Sequence, residues 1–294
     1  MNKGTLYAIV AFTAWGVLPV YWKQLDYVPS LELISHRILW SFLFLITIIL
    51  VSKKRRAFTA TLTAPVVCIH TLSAGLLAVN WVTYVWAVNA GFIIESSLGY
   101  FITPLINVGL GVLVLKERLR SVQWVAVGLA FAGLLYLTVA YGSFPWIALV
   151  LGISFGTYGL VKKLAPLGSI RGLTTETGLL LPPTIVYLIY TERIGEGTFL
   201  HASAVADVFL IGLGVVTIIP LLLFASAVQR IPLSLTGILQ YIAPTLQFLV
   251  GLMVYKEPFT AIQLTGFGMV WAALGIFSIE GLITQYLRPS TVIE

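Results

Sequence analysis

The sequence predicts an all-α integral membrane protein of ten transmembrane helices, built as two five-helix repeats of inverted topology with the N- and C-termini cytoplasmic. Three observations predict it. The 294 residues are 59% hydrophobic and 10% charged, with a mean hydropathy of +1.00, whereas a soluble domain carries about 25% charge. The apolar residues fall into ten runs of about 20 residues, the length that spans a bilayer as a helix. Landmarks of the first half recur 140 residues later, as Lys116-Glu117 does in Lys256-Glu257. The composition excludes a soluble enzyme, a nucleic-acid module and a disordered chain, because too few charges are present to wet a 32.1 kDa globule.

The elements follow in order from runs and breaks. Helix 1 is expected over about 4–23, too long for a cleavable leader. Helix 2 covers about 31–52 and stops at the Lys53-Lys54-Arg55-Arg56 loop. Helices 3 and 4 cover about 66–89 and 93–115, with a turn near Gly91. Helix 5 covers about 121–141 and helix 6 about 145–163, with a turn near Gly142. Helix 7 covers about 170–190 and helix 8 about 205–228. Between them lies a stretch with Glu192, Arg193, Glu196 and His201. Helix 9 covers about 232–255, after a turn near Pro232, and helix 10 about 260–284.

Charge sets the orientation. With the N-terminus inside, the inner segments hold 13 of the 17 basic residues and the outer ones only Lys23, Arg193 and Lys256. Arg37 lies within helix 2. Basic loops stay on the cytoplasmic side, so the net charge of +6 reflects topology and not a nucleic-acid partner. Cys68 has no second cysteine to pair with and is expected to pack in its apolar segment.

The repeat divides the chain into 1–142 (helices 1–5) and 143–294 (helices 6–10). At a constant offset Gly16 meets Gly156, Lys23 meets Lys163, Pro104 meets Pro244 and Gln123 meets Gln263. Five helices per half is an odd number, so the halves must insert with opposite orientation. Inverted repeats typify secondary transporters, whose site lies at the repeat interface near mid-bilayer. Duplication for structure alone, as in some channels, is the other reading.

Certain motifs carry a family resemblance. Ser97-Leu98-Gly99-Tyr100-Phe101-Ile102-Thr103-Pro104-Leu105 with Leu115-Lys116-Glu117-Arg118-Leu119 resembles the first-half signature of the EamA-type drug/metabolite transporters. Leu239-Gln240-Tyr241-Ile242-Ala243-Pro244-Thr245-Leu246-Gln247 with Tyr255-Lys256-Glu257-Pro258 resembles the second-half signature. His36-Arg37-Ile38-Leu39-Trp40-Ser41, with Trp15-Gly16, Pro19 and Tyr21-Trp22-Lys23, resembles the RarD subfamily. The resemblance covers nearly the whole chain. It implies a 5+5 fold, export of small organic solutes across a prokaryotic inner membrane, a cavity lined by helices 1, 3, 4, 6, 8 and 9, and peripheral helices 2 and 7.

The residues themselves suggest a site. Helix 4 places Tyr100, Pro104, Asn107 and Gly111 on one face, and helix 9 places Gln240, Pro244, Gln247 and Gly251 at matching positions. A buried amide without a partner costs about 1–3 kcal/mol, so Asn107 and Gln247 must face a partner helix or a wet cavity. Asn80 and Tyr84 lie one turn apart on helix 3, beside Trp81; helix 8 offers Phe224. Trp15 and Pro19 share a side of helix 1, and Tyr158 belongs to helix 6. An aromatic cavity with a few amides suits a flat or amphipathic solute. Packing and helix–helix adhesion are the alternatives for each of these side chains.

Ionisable residues inside a span are functional candidates. His36 and Arg37 lie in helix 2, and the repeat maps His36 onto Glu176 of helix 7. His36, Arg37 and Glu176 are candidates for proton coupling; capping of loops and snorkelling to the interface are the alternative. The repeated Lys-Glu pairs read as structural latches at the ends of helices 4 and 9.

No GxxxxGK[ST] loop or HExxH is present, and no serine sits in a GxSxG elbow between a strand and a helix, so no cofactor is expected, nor a metal or catalytic residue. The expected partners are a small-molecule substrate and the lipid bilayer, with no nucleic acid and a monomeric chain. The expected function is secondary transport of small organic solutes (amino acids, metabolites or drug-like compounds) by alternating access. A membrane-embedded lipid-processing enzyme would need clustered acids near one interface, and a channel would need a continuous polar stripe; both stay open as alternatives.

Overall fold

The computed structural model describes residues 2–52, 55–90, 92–142, 144–256 and 260–287, and among them every regular element is helical. Helix α1 (Lys3–Trp22) runs through a single 3-10 turn into α2 (Ser30–Val51). A short α3 (Arg55–Thr61), not expected from the apolar pattern, precedes α4 (Ala64–Asn89), α5 (Ile93–Leu113) and α6 (Ser121–Tyr141). Then come α7 (Trp146–Leu164), α8 (Ser169–Arg193) and α9 (Ala204–Val228). The predicted helix 9 is two pieces, α10 (Leu233–Gln240) and α11 (Ile242–Met253), and α12 (Ala261–Leu287) closes the fold. Gly91, Lys53, Lys54, Glu257, Pro258 and Arg288, used in the expectations above, lie outside the described residues.

Among the described residues, nine helical spans are long and apolar enough to cross a membrane, with α10 and α11 counting as one. The exception is α8, which corresponds to the predicted helix 7. Its 25 residues suffice in length, but Glu176, Pro182, Pro183 and several threonines lower its hydropathy. Those threonines are satisfied locally: Thr174, Thr177 and Thr184 donate to the carbonyls of Ile170, Leu173 and Leu180 at 2.7, 2.9 and 2.8 Å. Such back-bonding hides a hydroxyl without a tertiary partner. The outer surface is apolar, with Val51, Val139 and Phe144 each at least 74% exposed, a surface suited to lipid and not to water. Cys68 is exposed, contrary to the expected packed position, because it points away from the inward face of α4 that carries the buried His70 and Leu77.

The break between α10 and α11 falls where a proline removes a helical hydrogen bond. Proline lacks an N–H, and its ring clashes with the carbonyl four residues earlier. For Pro244 that carbonyl belongs to Gln240, the last residue of α10. Pro19, Pro104 and Pro220 stay inside continuous helices.

Several end structures recur at the spacing of the sequence landmarks. Lys116 and Lys256 both take left-handed backbone, with φ of 59° and 53°, in the turns that follow the ends of α5 and α11. The Leu115 and Tyr255 N–H groups close back onto Leu110 and Val250 at 3.2 Å in each case. At the start of the following helices, the Gln123 Oε1 accepts the Arg120 N–H at 2.9 Å and the Gln263 Oε1 accepts the Thr260 N–H at 3.0 Å. The latch expected at Glu117 spans the molecule: its carboxylate accepts the N–H groups of Leu233 and Ser234 at 2.7 and 2.9 Å and the Ser234 hydroxyl at 2.6 Å. It therefore caps the N-terminus of α10, where free N–H groups and the helix dipole both favour an anion.

The packing is reciprocal. Helix α1 lies against α9 and α11, and α7 lies against α4 and α5. Helix α2 contacts both α8 and α9, and α6 contacts α12. Two glycines at matching positions allow close approaches. A Cβ on Gly16 would stand 2.6 Å from Leu246, and one on Gly156 would stand 2.5 Å from Ile106. Only glycine lets these helices come so near.

Candidate functional site

The helices enclose a cavity of about 210 Å³. Its aromatic wall is formed by Trp15 and Trp22 of α1, Trp81 and Tyr84 of α4, Tyr100 of α5 and Phe155 of α7. Pro19, Leu221 of α9 and Pro244 of α11 fill the apolar remainder. The amides are Asn80, Gln240 and Gln247, and the one charged group lining it, among the described residues, is Arg37 of α2. These walls come from the six helices that the resemblance implies, joined by a side chain of α2, a helix expected to be peripheral.

The amides are held in place. Asn80 Nδ2 donates to the Leu151 carbonyl at 3.0 Å and to Ser154 Oγ at 3.1 Å, tying α4 to α7. Gln247 Nε2 donates to the Trp15 carbonyl at 3.2 Å, in a turn that Pro19 deprives of its own backbone donor. Asn107 Nδ2 donates to Gln240 Oε1 at 2.8 Å. Asn107 is wholly buried, so it stands behind Gln240 and orients it.

Tyr158 and Phe224 also lie beneath the wall. Both are wholly buried and they stack on each other, with centroids 6.1 Å apart and planes at 11°. Trp15 rests on this layer, 5.7 Å from the rings of Phe155 and Phe224. Eight of the eleven expected contact residues thus face the cavity. Asn107, Tyr158 and Phe224, expected to contact the solute, do not line it; they are wholly buried behind the wall and support it.

Arg37 reaches between two indoles. Its guanidinium carbon lies 4.1 Å from the centroid of Trp81 and 5.9 Å from that of Trp22, and Nε donates to Thr217 Oγ1 at 2.9 Å. A second, smaller cavity of about 160 Å³ adjoins the first near the start of α2, and Trp22, Arg37, Trp81 and Tyr84 line both.

The other two ionisable candidates lie elsewhere and apart. His36 is buried beside Glu32 and Phe199. Glu32 is committed to the loop before α9, accepting the Thr198 N–H at 2.7 Å and its hydroxyl at 2.8 Å. Glu176 sits in a buried polar cluster: Oε1 is 2.8 Å from both Lys162 Nζ and His70 Nδ1, and Oε2 accepts the Tyr158 hydroxyl at 3.3 Å. Lys162, which the sequence places with the loop basics, is wholly buried here. His70 carries a signal of its own, since a titratable group inside an apolar run is unusual; Lys162 carries none.

The comparisons with known proteins agree with one another. The model of the EamA-like transporter family matches residues 2–139. The chain is 42% identical to the uncharacterized transporter YojE of Bacillus subtilis, covering 95% of this chain and 94% of that one. It is 40% identical to protein RarD of Streptomyces exfoliatus, covering 96% and 90%. The chain belongs to the EamA family, in its RarD subfamily. As a member of that family it is a multi-pass membrane transporter. A crystal structure covering 94% of this chain and 97% of its own superposes with a TM-score of 0.69 at 16% identity, which is a likeness of fold alone.

Proposed function

We propose that this EamA-family protein carries small organic solutes across a prokaryotic inner membrane by alternating access, with the aromatic cavity as its substrate site. In this reading the chain is monomeric, α8 completes a set of ten spans, both termini are cytoplasmic, and the halves 1–142 and 143–294 are inverted repeats that rock about the cavity. The observation that carries it is the composition of the cavity wall: α1, α4 and α5 face α7, α9 and α10–α11 across one space, with amides contributed from both sides. The reciprocal packing of α1 and α7 supports the two-half division. A site that lies between two such halves can open to either face when they tilt.

Counterflow in proteoliposomes tests it. Purified protein is reconstituted, loaded with one of a panel of amino acids, aromatic metabolites or drug-like amphiphiles, and diluted into trace label, with and without a pH gradient. Uptake of label against the preload establishes a carrier. Flux without counterflow identifies a channel, and silence across the panel with folded protein overturns the small-solute reading. Acceleration by the gradient directs attention to His36 and to the Glu176 cluster.

A further inference from the structure

We propose that Arg37 makes the cavity selective for organic anions, pairing with a carboxylate or similar anionic head on a solute whose aromatic or apolar body lies against the tryptophans. This rests on the reading of the cavity as the substrate site. Three observations carry it.

Among the described residues nothing compensates the charge of Arg37. Among the described residues no aspartate or glutamate lines either cavity, and no carboxylate lies within ion-pair distance of the guanidinium. Its hydrogen-bond partner Thr217 is neutral. The contrast is Lys162, the buried cation of α7, which brings its own carboxylate at 2.8 Å. A cation at membrane depth is costly unless paired. The face of Trp81 offsets part of that cost and leaves the guanidinium edge with capacity for an anion. A planar fork of donors matches a carboxylate in two-point geometry.

Position is the second observation. Arg37 belongs to the set of side chains common to both cavities, so a solute passing from one to the other must cross it. The third is the rest of the wall. Indole and phenol rings with three amides offer stacking and neutral hydrogen bonds, and among the described residues no acid is there to hold a cationic solute against the repulsion of Arg37.

The test uses matched acids and amides that differ in charge and little in shape: benzoate, 3-phenylpropionate, indole-3-acetate and hexanoate, each with its primary amide. Binding to the purified full-length protein is read by quenching of tryptophan fluorescence and by competition in counterflow. The expected result is that at least one acid binds about tenfold or more tightly than its amide. Arg37→Gln removes the preference and leaves amide binding, and Arg37→Lys restores part of it. Equal binding of acid and amide by the unaltered protein overturns the proposal, as does failure of every acid to bind, or a preference that survives in Arg37→Gln. The unaltered protein alone decides the matter if the variants do not fold. Trp15→Ala separates the two readings. If it weakens acids and amides alike while the two bind equally, only anion selectivity fails; if it changes nothing, the cavity is not the site.

Discussion

The Tyr241 hydroxyl donates to the Phe101 carbonyl at 3.2 Å, across a chain separation of 140 residues. That is the offset at which the sequence landmarks recur, so on the proposed inverted-repeat reading the partners occupy equivalent positions of the two halves. Equivalent residues touch each other only close to a two-fold axis, which on that reading runs where α5 and α10–α11 meet. Tyr241→Phe deletes this bond from a buried site. It is expected to cost about 1 kcal/mol, measured as a lower melting temperature in detergent with transport retained.

The glycine contacts predict a larger effect. Gly16→Leu and Gly156→Leu force side chains into Leu246 and Ile106, and overpacking of this kind costs about 1–3 kcal/mol. Gly128→Ala, where nothing lies within 4 Å, is the control and leaves the melting temperature unchanged or slightly raised.

Glu176 neutralises Lys162 inside the bundle. Glu176→Gln strands the lysine, and the loss of one partner of a buried pair costs about 3–5 kcal/mol. Replacing both, as Lys162→Met with Glu176→Met, is expected to recover much of that stability. A double-mutant cycle on melting temperatures checks the coupling; additive losses refute the pairing.

The two asparagines separate wall from support. Asn80 lines the cavity and ties α4 to α7, so Asn80→Leu lowers solute affinity by about fivefold through a lost polar contact and lowers the melting temperature less than Asn107→Leu does. Asn107 is buried behind Gln240, so Asn107→Leu frees Gln240 to reorient. Affinity and thermal stability then fall together. Parallel binding isotherms and melting curves distinguish the pair.

The spans were legible because apolar runs and glycine, proline and basic breaks are local signals. The cavity was legible in part: Trp15, Asn80, Tyr84 and Gln240 stood out as polar or amphipathic groups on apolar helices. Three features were not. Lys162 adjoins Lys163 at the end of an apolar run, and nothing local says that one turns inward while the other donates to the Val228 and Ile231 carbonyls. Arg37 reaches the cavity by the length of its side chain, which helix placement alone does not reveal. Asn107 and Gln240 share a helix-face pattern with cavity residues, and only tertiary packing decides which stands in front.

The break at Tyr241 has a consequence for the resting protein. A carrier assembled from two identical halves would hold its inward- and outward-facing forms at equal free energy, since each is the other turned over. Pro244 interrupts its helix, whereas its counterpart Pro104 leaves α5 whole. At this matching position the two halves of the proposed repeat are therefore unlike, and on the proposed cycle the degeneracy is lifted. A bias of about 1.4 kcal/mol is a tenfold imbalance; on that cycle a bias of this size would leave the empty protein facing one side of the membrane, and the solute concentration on that side would set how often the cycle begins.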